Sequence, residues 1–250
     1  MMISALINIH LKYLQRSKGI IFFTVLSPVM LVLTAIMSAP EGSTARTVLI
    51  LDEKIIDPAP KILDLLLILN TLTAVVLVCS LTSFFLYYEI KSTIPRLKQI
   101  GYSQFQISSS YLIIILVINS LISGIMFIIS LYWVDIREPI GYVLGLVLTS
   151  FIFSIIGLII ADVVKTKTMG LYSIISLGIL DAGFIENPLY SRRFDDPVVD
   201  ILPAHKTAEV LLRASFDTGV KWTDGLINIS GYIIILLLIF YFTSIYQKKI

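Results

Sequence analysis

The chain has 250 residues, 57% of them hydrophobic and only 14% charged, with a formal net charge of +2 and a mean hydropathy of +0.92. Soluble domains run at roughly half apolar and a quarter charged, so an ordinary soluble domain is excluded, and so small a net charge argues against a nucleic-acid partner. The apolar runs are long and do not alternate with period two, which predicts helices rather than a barrel in lipid. The expected fold class is therefore an all-α polytopic membrane protein, with one transmembrane domain over residues 1–250.

In chain order, residues 1–19 place Ile3, Leu6, Ile7, Leu11 and Leu14 near one helical face, with Lys12 and Arg16 on another. That pattern fits a helix lying in the membrane interface, or equally a basic flank that fixes topology. Transmembrane helices are expected at 20–38, 62–88, 108–131, 140–161, 169–185 and 226–246, six in all. The first has an apolar core of about 18 residues, longer than the core of a cleaved signal peptide, and is read as retained. The fifth is short and interrupted by Gly178, Asp181 and Gly183.

Between the first two spans, the polar loop 39–61 carries Pro40, Pro58 and Pro60, with a short strand expected at "TVLIL". In 186–223, Pro197 suits a first helical turn. Val198, Ile201, Leu202, Ala208, Val210 and Leu211 predict a partly buried helix, broken at Pro203 and resting on the membrane surface.

Short-loop basic residues set orientation. Lys12, Arg16 and Lys18, then Lys91, Arg96 and Lys98, then Lys165 and Lys167, and finally Lys248 and Lys249 fall on one side. Glu41, Asp52, Glu53, Asp57, Asp135 and Glu138 fall on the other. Both termini are therefore expected in the cytoplasm.

The lone thiol Cys79 excludes a disulfide within the chain, and with only His10 and His205 a multi-histidine metal site is excluded too. No G-x-x-x-x-G-K-[ST] loop, nucleophile elbow, H-E-x-x-H helix or paired-carboxylate motif is present. The chain is expected to be no enzyme and to bind no cofactor, so that any ATP hydrolysis falls to another chain. Asp195 and Asp196, beside Arg192 and Arg193, read as a solvated charge cluster.

Ionisable residues within spans are costly and mark function. Asp181 is the best placed, read either as lining a cavity or as the end of a helix that turns back, whereas Glu89, Asp162 and Asp64 lie at span ends. Asn70, Thr71, Thr73, Ser80, Thr82 and Ser83 line up along the second span. Asn70 and Thr73 with Asp181 are candidates for a substrate path, against the plainer reading of hydrogen bonds between helices. Gly141 and Gly145 form a G-x-x-x-G that lets backbones approach.

The loop 89–107 differs in kind. Glu89 closes a span, Lys91, Arg96 and Lys98 follow, and Pro95 and Gly101 bracket a short helix before the chain re-enters the membrane. A positive loop needs no apolar residues, yet Ile94, Leu97, Ile100 and Phe105 are present, spaced to form a knob for a partner's socket.

Here the chain resembles the permease subunits of type-2 ABC exporters. "YYEIKSTIPRLKQIGYSQFQI" is similar to that family's coupling loop, with Glu89, Thr93, Leu97 and Ser103 at comparable places, and "VVDILPAHKTAEVLLRASF" to its external helix, with Pro203, Ala208, Leu212 and Arg213 matching. The chain departs from the family in reading "STI" for Gly-Thr and His205 for an aromatic. "LKQIGYSQFQI" also resembles the cytoplasmic loop of lipoprotein-release and cell-division permeases, which carry a large external domain absent from this sequence.

The resemblance implies the membrane half of an ATP-driven exporter in a bacterial cell membrane. Its partners would be a cytoplasmic ATPase subunit carrying ATP and Mg, and a second permease, identical or related. Glu89, Thr93, Pro95, Arg96, Leu97, Gly101 and Ser103 would form the coupling site, and Leu97→Asp is expected to abolish coupling without preventing insertion. The substrate would be amphipathic: a drug, a peptide antibiotic or a lipid. The alternative is an ion- or proton-coupled carrier using Asp181.

Overall fold

The computed structural model describes residues 60–185, 202–216 and 222–246 continuously, and before residue 60 only 6–9, 11–12, 26, 29–30, 32–33, 37, 50–51 and 54–55. Of the first expected span only scattered helical positions are therefore described. Two two-residue strands, β1 (Ile50–Leu51) and β2 (Lys54–Ile55), pair antiparallel where the sequence suggests a strand.

The helices are α1 (Ile62–Ile90), α2 (Ile94–Gln99), α3 (Gln104–Trp133), α4 (Pro139–Val163), α5 (Lys167–Ile185), α6 (Pro203–Phe216) and α7 (Trp222–Tyr246), with a 3-10 turn at Lys91–Thr93 joining α1 to α2. Among the described residues, 4 helical stretches are long and apolar enough to cross a membrane: α1 continued through α2, α3, α4 and the central part of α7. The expected fifth span is a helix of 19 residues, continuous through Gly178 and Asp181.

Glycines set the closest helix approaches. A methyl group at Gly157 of α4 would lie 2.2 Å from the Ser80 carbonyl oxygen of α1. On α5, one at Gly170 would lie 2.1 Å from the Phe84 ring, and one at Gly178 would lie 2.5 Å from Leu77. Gly170 and Gly178 thus belong to the contact face of α5 with α1, as small residues do between membrane helices.

The apolar core divides into two clusters along the bundle. On α1 the change falls between Cys79 and Leu81, on α3 between Ile115 and Ile122, and on α4 between Phe153 and Ile155. The polar residues Ser80, Asn119 and Ser154 lie in those three gaps and are all buried. Asn119 donates to the Ser150 carbonyl (3.1 Å) and the Ser154 hydroxyl (2.9 Å), and Ser154 reaches the Cys79 carbonyl at 3.2 Å. A shared polar layer fixes the relative heights of three helices whose surroundings are otherwise uniformly apolar.

After α5 the description resumes at Leu202, and Pro203 opens a helix, as its fixed φ and missing N–H allow at a first helical position. Val198 and Ile201 lie outside the described residues. Every residue of α6 from Val210 to Phe216 is buried. It packs where a methyl group at Gly145 of α4 would lie 3.0 Å from Leu211, and one at Gly225 of α7 would lie 2.4 Å from Val210. Its last carbonyls are satisfied by the α3–α4 loop: the Glu138 N–H donates to Ala214 (2.8 Å) and the Arg137 guanidinium to Phe216 (2.8 Å).

On the outside of the bundle, Ile113, Val117, Leu121, Ile125 and Ile128 of α3 form an exposed apolar stripe, and α7 exposes Ile227, Ile234, Ile235, Leu238 and Phe242. Such faces suit lipid.

Candidate functional site

The residues expected to form a coupling loop gather at one end of the bundle. This end holds the C-termini of α1 and α4, the N-termini of α3 and α5, and Phe240 of α7, which packs on Tyr87 with ring centroids 6.1 Å apart. Lys91, Arg96, Lys98, Lys165 and Lys167 share it, so loops far apart in sequence build one basic surface. Residues 6–9 are helical as well, and Leu6 is fully buried in the same apolar cluster as Ile94 and Leu97. Of the expected N-terminal apolar face, Ile3 and Leu14 lie outside the described residues.

α2 is 6 residues long and closed at both ends by local chemistry. Pro95 stands in its first turn and is exposed. At its C-terminus Gly101 takes φ 102°, its N–H donates to the Lys98 carbonyl (3.0 Å), and the Tyr102 N–H donates to the Leu97 carbonyl (3.1 Å). These paired bonds form a Schellman stop, which requires a left-handed residue that glycine adopts freely. Ser103 then starts α3 through a capping box: its side chain accepts from the Gln106 N–H (3.2 Å), and the Gln106 side chain accepts from the Ser103 N–H (2.9 Å). Thr93 turns back to the Ile90 carbonyl at 2.7 Å.

The apolar residues of this loop split into two sets. Ile94 and Leu97 face inward, at 8% and 7% exposure, whereas Ile100 and Phe105 face outward, at 72% and 68%. The sequence expected all four on one knob. A carboxylate at position 97 would instead enter the bundle's own core, so Leu97→Asp disturbs folding as well as any surface contact. The free apolar surface consists of Ile100 and Phe105, beside exposed Pro95 and Arg96.

Glu89 pairs with Lys167 at the start of α5 and does not face outward alone. Tyr88 donates to the Lys165 carbonyl (2.9 Å), and Lys167 also stands 5.8 Å from the centre of the Tyr88 ring. Lys91 donates to the Ala161 carbonyl (3.1 Å) and the Asp162 carbonyl (2.6 Å), in the last turn of α4, where carbonyls lack helical partners. Tyr87 donates to the Asp162 carboxylate at 3.1 Å. Sequence reasoning placed Asp162 at a span boundary; in the structure it is 2% exposed and joined to another helix.

The other candidates are scattered. Asn70 and Thr73 are half-buried and bond back to the carbonyls of Leu66 (2.8 Å) and Leu69 (3.0 Å) in their own helix. Asp181, 6% exposed, accepts the Ala204 N–H at 3.3 Å and so caps the first turn of α6 from another helix. Its other oxygen is buried and meets no donor among the described residues. Asn70 and Thr73 thus bond within α1, whereas Asp181 reaches α6. Pro203 opens α6, and Arg213 is buried and paired with Glu209 one turn earlier. Among the described residues, no group of three or more His, Cys, Asp or Glu side chains is placed to hold a metal.

No protein-family model matches the chain, and no curated protein matches it.

Proposed function

We propose that the chain is the membrane-spanning permease subunit of an ATP-driven ABC exporter of the type-2 class. The observation that carries this reading is the short, sharply bounded helix α2, held between two long apolar helices, with Ile100 and Phe105 exposed at the basic end of the bundle. Exposed large apolar side chains among lysines and arginines are unsuited to a loop that only fixes topology, and suited to a protein socket. On this reading both termini and α2 are cytoplasmic, six helices span the membrane, and α6 lies on the outer side. ATP and Mg bind a separate ATPase subunit docked on α2, and a second permease completes the path in a bacterial cell membrane. The substrate is amphipathic, whether drug, peptide antibiotic or lipid.

An ion-coupled carrier working through Asp181 has less support, because that carboxylate already serves as a helix cap. Gentle purification of the tagged protein from its native host tests the exporter reading. An ATPase subunit is expected to follow the wild type and to be lost with Ile100→Asp, a surface change that leaves the apolar core intact. Wild-type protein emerging alone from several mild detergents would refute the reading.

A further inference from the structure

The end of α1 is tied to the α4–α5 turn more firmly than two packed helices require. Tyr87, Tyr88, Glu89 and Lys91, all but one of five successive residues, each make a polar contact with the segment from Ala161 to Lys167. The contacts differ in kind. Lys91 covers two carbonyls at the negative end of the α4 dipole. Glu89 pairs with Lys167 at the first residue of α5, and Tyr88 covers the intervening Lys165 carbonyl. Tyr87 binds the buried Asp162 carboxylate. Phe240 of α7 packs on the Tyr87 ring. Three helices thus meet around Tyr87, and a fourth is joined through Lys167.

We propose that this cluster is a transmission latch, in which Asp162, Tyr87, Lys91 and the Glu89–Lys167 pair are positioning residues that make α2 and the inner ends of α1, α4, α5 and α7 one body. The inference rests on the exporter reading for what drives that body, but the rigidity itself does not depend on an ATPase. The 3-10 turn Lys91–Thr93 is the sole covalent link from α1 to α2, and Lys91 within it is anchored to α4. A displacement of α2 therefore passes directly into α4, and through α4 into the helices that touch it. Without the latch, a load on α2 would be absorbed by bending at that turn. An ammonium on two helix-end carbonyls and a phenol on a buried carboxylate suit this task, because pulling either apart leaves polar groups without partners in a largely apolar site.

The test measures one separation. In the full-length protein, with the single native thiol removed by Cys79→Ala, spin labels are placed through Gln99→Cys on α2 and Thr168→Cys on α5, both exposed positions outside the latch. Wild-type latch residues are expected to give a single narrow separation, unchanged when the co-purified ATPase is given ATP. Combining Lys91→Met with Glu89→Gln is expected to abolish the single separation while the ATPase still co-purifies. Lys91→Arg, or the exchange of Glu89→Lys with Lys167→Glu, is expected to restore it. A broad separation in the wild type, a shift on adding ATP, or an unchanged narrow separation in the double variant would overturn the latch. Absence of a co-purifying ATPase would refute the exporter reading instead, and the separations would still decide the latch.

Discussion

Replacing Gly157 by alanine perturbs the interface between α1 and α4 at its tightest point. The new methyl group would lie 2.2 Å from the Ser80 carbonyl oxygen and 3.0 Å from the carbonyl carbon, whereas ordinary contact begins at 3.4 Å. The obstruction is backbone, which cannot swing aside, so the two helices must separate by about 1 Å, enough to forfeit a quarter to a half of the dispersion energy of each contact they share. Overpacking of this kind costs about 1–3 kcal/mol. Separation also stretches the 3.2 Å bond from Ser154 to the Cys79 carbonyl, a loss of about 0.5–1.5 kcal/mol. Together these lower the melting temperature by roughly 3–18 °C, taking about 2–4 °C per kcal/mol at this chain length. The assay is survival of monodisperse, detergent-solubilised protein after heating. Gly124→Ala and Gly231→Ala are the controls, since a methyl group there meets nothing within 4 Å. Gly157→Ala melting together with those controls would refute the packing described for α1 and α4.

Asp181→Ala removes the cap of α6, worth about 1 kcal/mol, and is expected to speed tryptic cleavage at Lys206 and Arg213 in the purified protein. Asp181→Asn keeps the acceptor and should retain protection; equal cleavage of all three proteins would argue against the cap. Gly101→Ala meets no neighbour within 4 Å, so its cost is the left-handed backbone alone, about 1–2 kcal/mol. It should lower thermal stability measurably, and an unchanged melting temperature would contradict the turn.

Helix positions were more legible in the sequence than helix faces. The span expected at 62–88 is a helix from Ile62 to Ile90, and that at 140–161 runs from Pro139 to Val163. The ends moved outward because local signals close them: Pro139 suits a first turn, and the capping box of Ser103 with Gln106 starts a helix at Gln104, ahead of the apolar run read as the third span. Which side of each helix faces protein was not legible, because lipid is as apolar as a core and periodicity then carries no inward sense. Hence Leu97 and Ile100, one helical turn apart, were read as one surface, although one is buried and the other exposed. Asp162 was read as a boundary charge because its partner Tyr87 lies 75 residues away in sequence. The interruption of α5 at Gly178 looked like a weak point for the same reason, since the bulky Leu77 that fills the space beside it belongs to α1. The pattern of α6 indicated a partly buried helix but not what buries it: its small and branched residues fit a cleft whose walls come from α4 and α7.

That cleft has a consequence for how the protein is made. Val210 of α6 lies against Gly145 of α4, synthesised earlier, and against Gly225 of α7, synthesised later. During translation α6 emerges into an unfinished site, with one wall present and the other still unmade. Its burial is completed only when α7 arrives, so that later step of synthesis also closes this part of the core. A nascent chain stopped short of residue 225 would carry an exposed apolar helix, the kind of surface by which membrane quality control recognises an incomplete product.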